Sequence, residues 1–153
     1  MAQEITAEII SIGDELLIGQ TINTNAGWMG MQLAHAGIRC VRVLAIGDDR
    51  EEILTALTST RSQVVLITGG LGPTKDDITK LTLCDHFNTR LVRNKVVQDR
   101  IAAMYKSLGR EAMEINLAQA DLPESCTVIA NERGTASGMW FDRPDGSVVI
   151  SLP

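Results

Sequence analysis

Aromatic side chains are almost absent from this chain: two Trp, two Phe and one Tyr in 153 residues. Base-stacking platforms need several of them, so a single-stranded nucleic-acid surface is not expected. Nor is there a block of Lys or Arg. The net charge is −5, opposite to the basic footprint that a phosphate backbone demands. Nucleic acid is therefore not an expected partner. Cysteine is also sparse. Cys40, Cys84 and Cys126 lie far apart with no CxxC pair, which argues against a disulfide framework or a zinc site. No apolar run approaches the ~20 residues of a membrane span. The opening MAQEITAEII has neither the basic start nor the long apolar stretch of a secretory signal. A reducing, cytoplasmic location without a membrane partner is the expectation. Walker A and GxGxxG signatures are missing as well.

What remains reads as one α/β domain over residues 1–153. Hydrophobic residues make up 44% and charged residues 22%, ordinary values for a globular chain of this size. Short β-branched runs near 7–13, 38–46 and 64–68 read as strands, and helical patterns separate them. That alternation predicts parallel neighbours in one sheet with helices on both faces. The first long helix starts near Thr24, with Trp28, Met31, Leu33 and Ala34 at near-helical spacing. The next presents Ile53, Leu54 and Leu57 inward. A third carries Val97, Ile101, Met104 and Leu108 as a stripe. TRLVRN reads as a short strand, EINLAQADLP as a short helix ended by Pro123, and CTVIAN as a strand. GMWFDRPDGSVVIS reads as a hairpin turning at Arg143–Pro144–Asp145–Gly146.

The strongest chemical signal is TGGLGPTKDD, residues 68–77, directly after the apolar run VVLI. Gly69, Gly70 and Gly72 can take positive φ and admit a ligand close to the backbone. Successive N–H groups in such a turn form an anion nest, and the helix that follows adds its positive end. Asp76 and Asp77 would repel a phosphate unless a cation lay between. Mg²⁺ combines one or two carboxylates with phosphate oxygens and suits that place. The alternative is capping: Thr74 and Asp77 resemble a capping box. Two more acidic turns follow strands: Gly13, Asp14 and Glu15 after the first, and Gly47, Asp48 and Asp49 after the second. In a parallel sheet all three emerge on one rim. Asp48 and Asp49 could also merely cap a helix. Cys84 reads as a packing residue, and His35 and His86 as helix-end residues favourable to the dipole.

GDELLIGQTINTN, AIGDD, TGGLGPTKDDIT, NLAQADLP and GTASGMW together resemble the N-terminal domain of the CinA (competence/damage-inducible) family, within the molybdopterin-binding domain superfamily. The resemblance covers nearly the whole chain. It implies a three-layer α/β/α domain with a mostly parallel sheet. It also implies divalent-metal-dependent hydrolysis of the pyrophosphate in ADP-ribose or a related dinucleotide. Relatives in the superfamily use a similar pocket for a pterin and its adenylylation. The family's functional aspartates match Asp48 and Asp77, with Asp76 as a further metal candidate. Gly69, Gly70 and Gly72 match its phosphate loop, followed by Thr74. Gly13, Asp14 and Asn25 fall in its first loop, and Gly134 and Thr135 in GTASG. Ser137 stands where the usual pattern has Pro.

Family members continue beyond Pro153, often into an amidohydrolase domain acting on nicotinamide mononucleotide, so the chain is expected to be an excised domain. Superfamily relatives form dimers or trimers, which makes a homo-oligomer the expectation. Three functions follow: a nucleotide pyrophosphatase domain, a molybdopterin-binding or adenylyl-transfer domain, or a non-catalytic nucleotide sensor.

Overall fold

The computed structural model describes residues 4–70 and 77–153, with only the backbone of Asp77. Elements are numbered in chain order. β1 (Thr6–Ile12) is buried along six of its seven residues, which is why its aliphatic residues, Ala7, Ile9, Ile10 and Ile12, fall on both faces. It lies between β2 (Arg39–Ile46) and β3 (Val64–Gly69), parallel to both. Ile12 stands in register with Ile46 on one side and Gly69 on the other. The parallel trio expected from sequence is therefore present. β8 (Val148–Leu152) extends it in parallel beyond β3. β7 (Gly138–Asp142) and β6 (Thr127–Ile129) complete the sheet antiparallel, in the order β2-β1-β3-β8-β7-β6.

Two apolar layers sandwich the sheet. On one face α2 (Thr24–His35) packs Ala26, Met29 and Leu33 against Ala7 and Ile9. On the other, α3 (Arg50–Ser59), α4 (Asp77–His86) and α5 (Lys95–Ser107) cover Ile10, Ile12, Val65 and Ile67. The fold is the expected α/β/α, with one long helix on one side and three on the other.

Several local readings need correction. Trp28 and Met31 are 60% and 57% exposed. The buried stripe of α2 is Ala26, Met29 and Leu33, one residue out of phase with the larger side chains. Leu108 is exposed because α5 ends at Ser107 and Leu108 only caps it. Residues 121–123 are not helical. They form β5 (Asp121–Pro123), antiparallel to β4 (Leu91–Arg93) in a separate ribbon. β5 follows α6 (Glu114–Leu117) and a 3-10 turn at Ala118–Ala120. A short helix, α1 (Asp14–Leu17), also sits inside what read as a loop.

The amino-terminal end of the sheet is anchored by charge. Glu8 is 4% exposed. It accepts hydrogen bonds from Arg42 Nε at 2.6 Å and from the N–H groups of Arg61 and Ser62 at 2.7 and 3.1 Å. Burial alone would raise its carboxyl pKa, but these donors together hold it below the ordinary value. Arg143 closes the same end, donating to Thr60 Oγ1 at 2.9 Å and Leu57 O at 3.2 Å.

Candidate functional site

The carboxyl ends of β1, β2, β3 and β8 share one rim, where α/β sheets place ligands. The loop between β6 and β7 reaches the same rim, because Ile129 pairs with Gly138 and Met139 pairs with Ser151 near the end of β8. The rim therefore gathers Gly47–Asp48, Gly13–Asp14, Gly69–Gly70 and the segment 130–137.

At its centre the chain leaves β3 through two left-handed glycines, Gly69 at φ 90° and Gly70 at φ 66°. A Cβ on Gly69 would overlap the carbonyl oxygen of Ile12 and lie 3.2 Å from its carbon. A Cβ on Gly70 would overlap Thr79 Oγ1 and lie 3.3 Å from Ile12 Cγ2. Both positions need glycine twice over, for φ and for space. Gly70 thus has a packing duty toward α4 as well as its expected place in a phosphate turn. Gly72, Thr74, Asp76 and the Asp77 side chain lie outside the described residues, and α4 begins at Asp77.

The two acidic turns are joined. Gly13 N–H donates to Ile46 O at 2.9 Å. Asp14 Oδ1 accepts the Asp48 N–H at 3.1 Å. Glu52 Oε2 accepts the Gly47 N–H at 2.8 Å, and Asp49 caps α3 by accepting the Glu52 N–H at 3.0 Å. Capping is therefore the work of Asp49, whereas the Asp48 carboxylate has no partner among the described residues. The Asp14 carboxylate is thus held against the backbone of Asp48 on the rim. Among the described residues no group of three His, Cys, Asp or Glu is placed to hold a metal ion. Two carboxylates match Mg²⁺ better than zinc, since Mg²⁺ takes one or two carboxylates and completes its shell with water and phosphate oxygens.

Toward α2 the rim opens a small polar cleft, about 130 Å³, lined by Ser11, Glu15, Asn23, Asn25, Thr68 and Gly69 among others. Asn23 caps α2 through the Ala26 N–H at 3.3 Å and accepts from Ser11 Oγ at 3.1 Å. Asn25 Nδ2 donates to Thr68 Oγ1 at 3.4 Å, which brings it beside the glycine turn.

The segment bearing Gly134 and Thr135 is held by a residue the sequence did not flag. The Arg100 guanidinium, from α5, donates to the carbonyls of Asn131, Gly134 and Thr135 and to Ser137 Oγ. Asn131 braces the segment further by donating to Ala136 O at 2.8 Å. Arg100 lies beside a helical apolar stripe, where a basic residue is the ordinary pattern, so no local signal marked it. Thr79 was missed for a similar reason, as one hydroxyl among several in α4.

Two of the three thiols, Cys84 and Cys126, are unsuited to attack. Burial, followed by the charge of Asp85, raises the Cys84 thiol pKa, and burial pushes Cys126 up to about 11. Cys84 is 5% exposed, in keeping with a packing role.

Residues 8–153 match the family model described as "Probable molybdopterin binding domain". A CinA-like protein of Cytophaga hutchinsonii is 46% identical over 155 aligned residues, covering 100% of this chain and 37% of that protein. The chain thus spans little more than a third of that relative. Among solved structures, CinA of Thermoplasma acidophilum, described as of unknown function, superposes with a TM-score of 0.85 at 33% identity, over 98% of this chain and 88% of that one. The tungsten cofactor synthesizing protein MoaB of Pyrococcus furiosus superposes at 0.61 with 20% identity, over 100% and 84%. That similarity speaks for the fold alone.

Proposed function

The chain belongs to the molybdopterin-binding domain family, in its CinA-like branch, and from this we propose that it binds a phosphorylated pterin or nucleotide with the phosphate seated at the Gly69–Gly70 turn. The observation that carries the reading is the pair of left-handed glycines at the end of a central strand, leading into a helix N-terminus. Such a turn offers backbone N–H groups and the positive end of a dipole to an anion. A pterin ligand takes precedence because the family description names one. Gly13, Asn25, Gly134 and Thr135 would line the bound molecule, and Arg100 would hold the last two in place.

A second reading adds chemistry: hydrolysis of a nucleotide pyrophosphate such as ADP-ribose. The adjacency of Asp14 and Asp48 favours it. They would hold a divalent ion, with Asp77 as the third candidate on family resemblance. When bound, such an ion would neutralise phosphate charge and make a water molecule more acidic. The turn amides would stabilise charge on the phosphoryl oxygens.

Calorimetric titration with molybdopterin and with ADP-ribose, each with Mg²⁺, tests the binding claim. Heat of binding from neither ligand would overturn it. Product analysis for AMP separates a hydrolase from a binding or sensing domain. If the hydrolase reading holds, Asp48→Asn and Asp77→Asn each cut AMP release by ~10²-fold or more, comparable to losing one charge-stabilising contact.

A further inference from the structure

Two buried side-chain oxygens have no hydrogen-bond partner among the described residues: Thr79 Oγ1 and Ser151 Oγ. Both residues are 0% exposed. A buried hydroxyl without a partner is uncommon and costly, so each one asks for a reason. Thr82, also 0% exposed on α4, shows the ordinary solution. Its hydroxyl donates to the Ile78 carbonyl, four residues back, at 2.6 Å. Thr79 has no equivalent among the described residues. The residue four positions before Thr79 lies outside the described residues. What faces its hydroxyl is the glycine turn: Thr79 Oγ1 fills the space that a side chain at Gly70 would take.

From this placement we propose that Thr79 is a ligand-binding residue, its hydroxyl kept unpaired beneath the Gly69–Gly70 turn so that it can donate to a phosphoryl oxygen seated there. The inference deepens the phosphate-binding reading above and rests on it. The first turn of α4 would then contribute a side-chain donor as well as its dipole. Gly70, the glycine against the hydroxyl, is a residue whose backbone can readily rearrange to admit the ligand. Ser151 is the internal comparison. It lies in register with Ile67 and Met139, two residues before Gly69 along the sheet, and is flanked by apolar side chains away from the turn.

The test compares Thr79→Val, Thr79→Ser and Ser151→Ala in the 153-residue chain, using inorganic pyrophosphate with Mg²⁺ and, separately, ADP-ribose with Mg²⁺ as probes. Thr79→Val keeps the shape and removes the hydroxyl. Its melting temperature is expected to equal or exceed that of the parent, because an unsatisfied group has gone, while its dissociation constant for pyrophosphate rises roughly 10- to 100-fold, the scale of a hydrogen bond to a charged group. Thr79→Ser restores most of the affinity. Ser151→Ala leaves it unchanged. Unaltered affinity in Thr79→Val overturns the proposal, and so does a marked fall in its melting temperature, which would mean that the hydroxyl has a partner within the protein. If pyrophosphate binds in a Thr79-dependent way but ADP-ribose is neither bound nor cleaved, the hydrolase reading fails and the role of Thr79 stands. If the parent binds neither probe, both fall.

Discussion

Asp14 Oδ1 accepts the backbone N–H of Asp48 at 3.1 Å, so the turns after two neighbouring strands are clasped by one carboxylate. The same oxygen would stand 2.9 Å from a Cβ on Gly47, which keeps that turn tight. Asp14 thus has a structural duty that an amide can also perform. Asp14→Asn is expected to retain stability, because its side-chain oxygen still accepts the N–H. Asp14→Ala should lose about 1 kcal/mol. A denaturant unfolding series separates them. If a divalent ion also sits here, Asp14→Asn weakens Mg²⁺-dependent ligand binding even though its midpoint is unmoved.

Asp48 and Asp49 are neighbours with different work. Asp49 caps α3 and Asp48 does not. Asp49→Ala is therefore expected to cost about 1 kcal/mol, with ligand affinity intact in the folded fraction. Asp48→Ala should leave unfolding nearly unchanged and weaken Mg²⁺-dependent binding. Equal stability losses in the two variants, measured by denaturant titration, would refute this division.

Acid sensitivity should arrive in two stages. Burial, then the charge of Arg143, lowers the His86 pKa below its ordinary 6.5. A lowered folded-state pKa means that the unfolded chain binds the proton more readily. The stability this confers is complete above 6.5 and lost as pH falls toward the folded value. Glu8 behaves likewise from a lower start. Burial acts to raise its pKa, but the Arg61 N–H and Arg42 prevail and hold it under 4.5, so its contribution persists above 4.5 and is lost below. Unfolding free energy should fall on acidification first below about 6.5 and again below about 4.5. His86→Gln should flatten only the first stage, and Glu8→Gln should reduce the second. A first stage undiminished in His86→Gln would assign it to another group.

The parallel trio was legible in sequence because β1 is buried on both faces and β3 has no exposed residue, so that aliphatic side chains fall on both faces of each strand. The glycine turn was legible because adjacent glycines after such a run have few other uses. The α2 face was misread because Trp28 and Met31 are large and apolar, while the true contact is made by Ala26, Met29 and Leu33. Size outweighed phase in that reading. β5 was illegible, since three residues paired across a gap to β4 carry no periodicity. Arg100 and Thr79 escaped because their meaning lies in what they meet. For Arg100 that is a set of carbonyls more than 30 residues away in sequence. For Thr79 it is the absence, among the described residues, of a partner beside Gly70.

The contact between Gly70 and Thr79 sets Gly70 apart from Gly69, which faces backbone. Ala at Gly69 must adopt a left-handed φ, costing about 1–2 kcal/mol, and its methyl would meet the Ile12 backbone carbonyl, which cannot step aside. Gly69→Ala is therefore expected to be severely destabilising. Ala at Gly70 incurs a similar φ cost, but its methyl meets a side-chain hydroxyl, which can be removed. Gly70→Ala should consequently be less harmful in a Thr79→Ala background than in the parent. The non-additivity should be about 1 kcal/mol, within the range for residues in direct contact. No such relief is expected for Gly69→Ala combined with Thr79→Ala, because its obstacle is backbone. Four-corner unfolding cycles for both pairs measure this directly. Strict additivity for Gly70 and Thr79 would show that the turn and α4 are not in contact in solution, and would remove the structural basis for a hydroxyl poised beneath the turn.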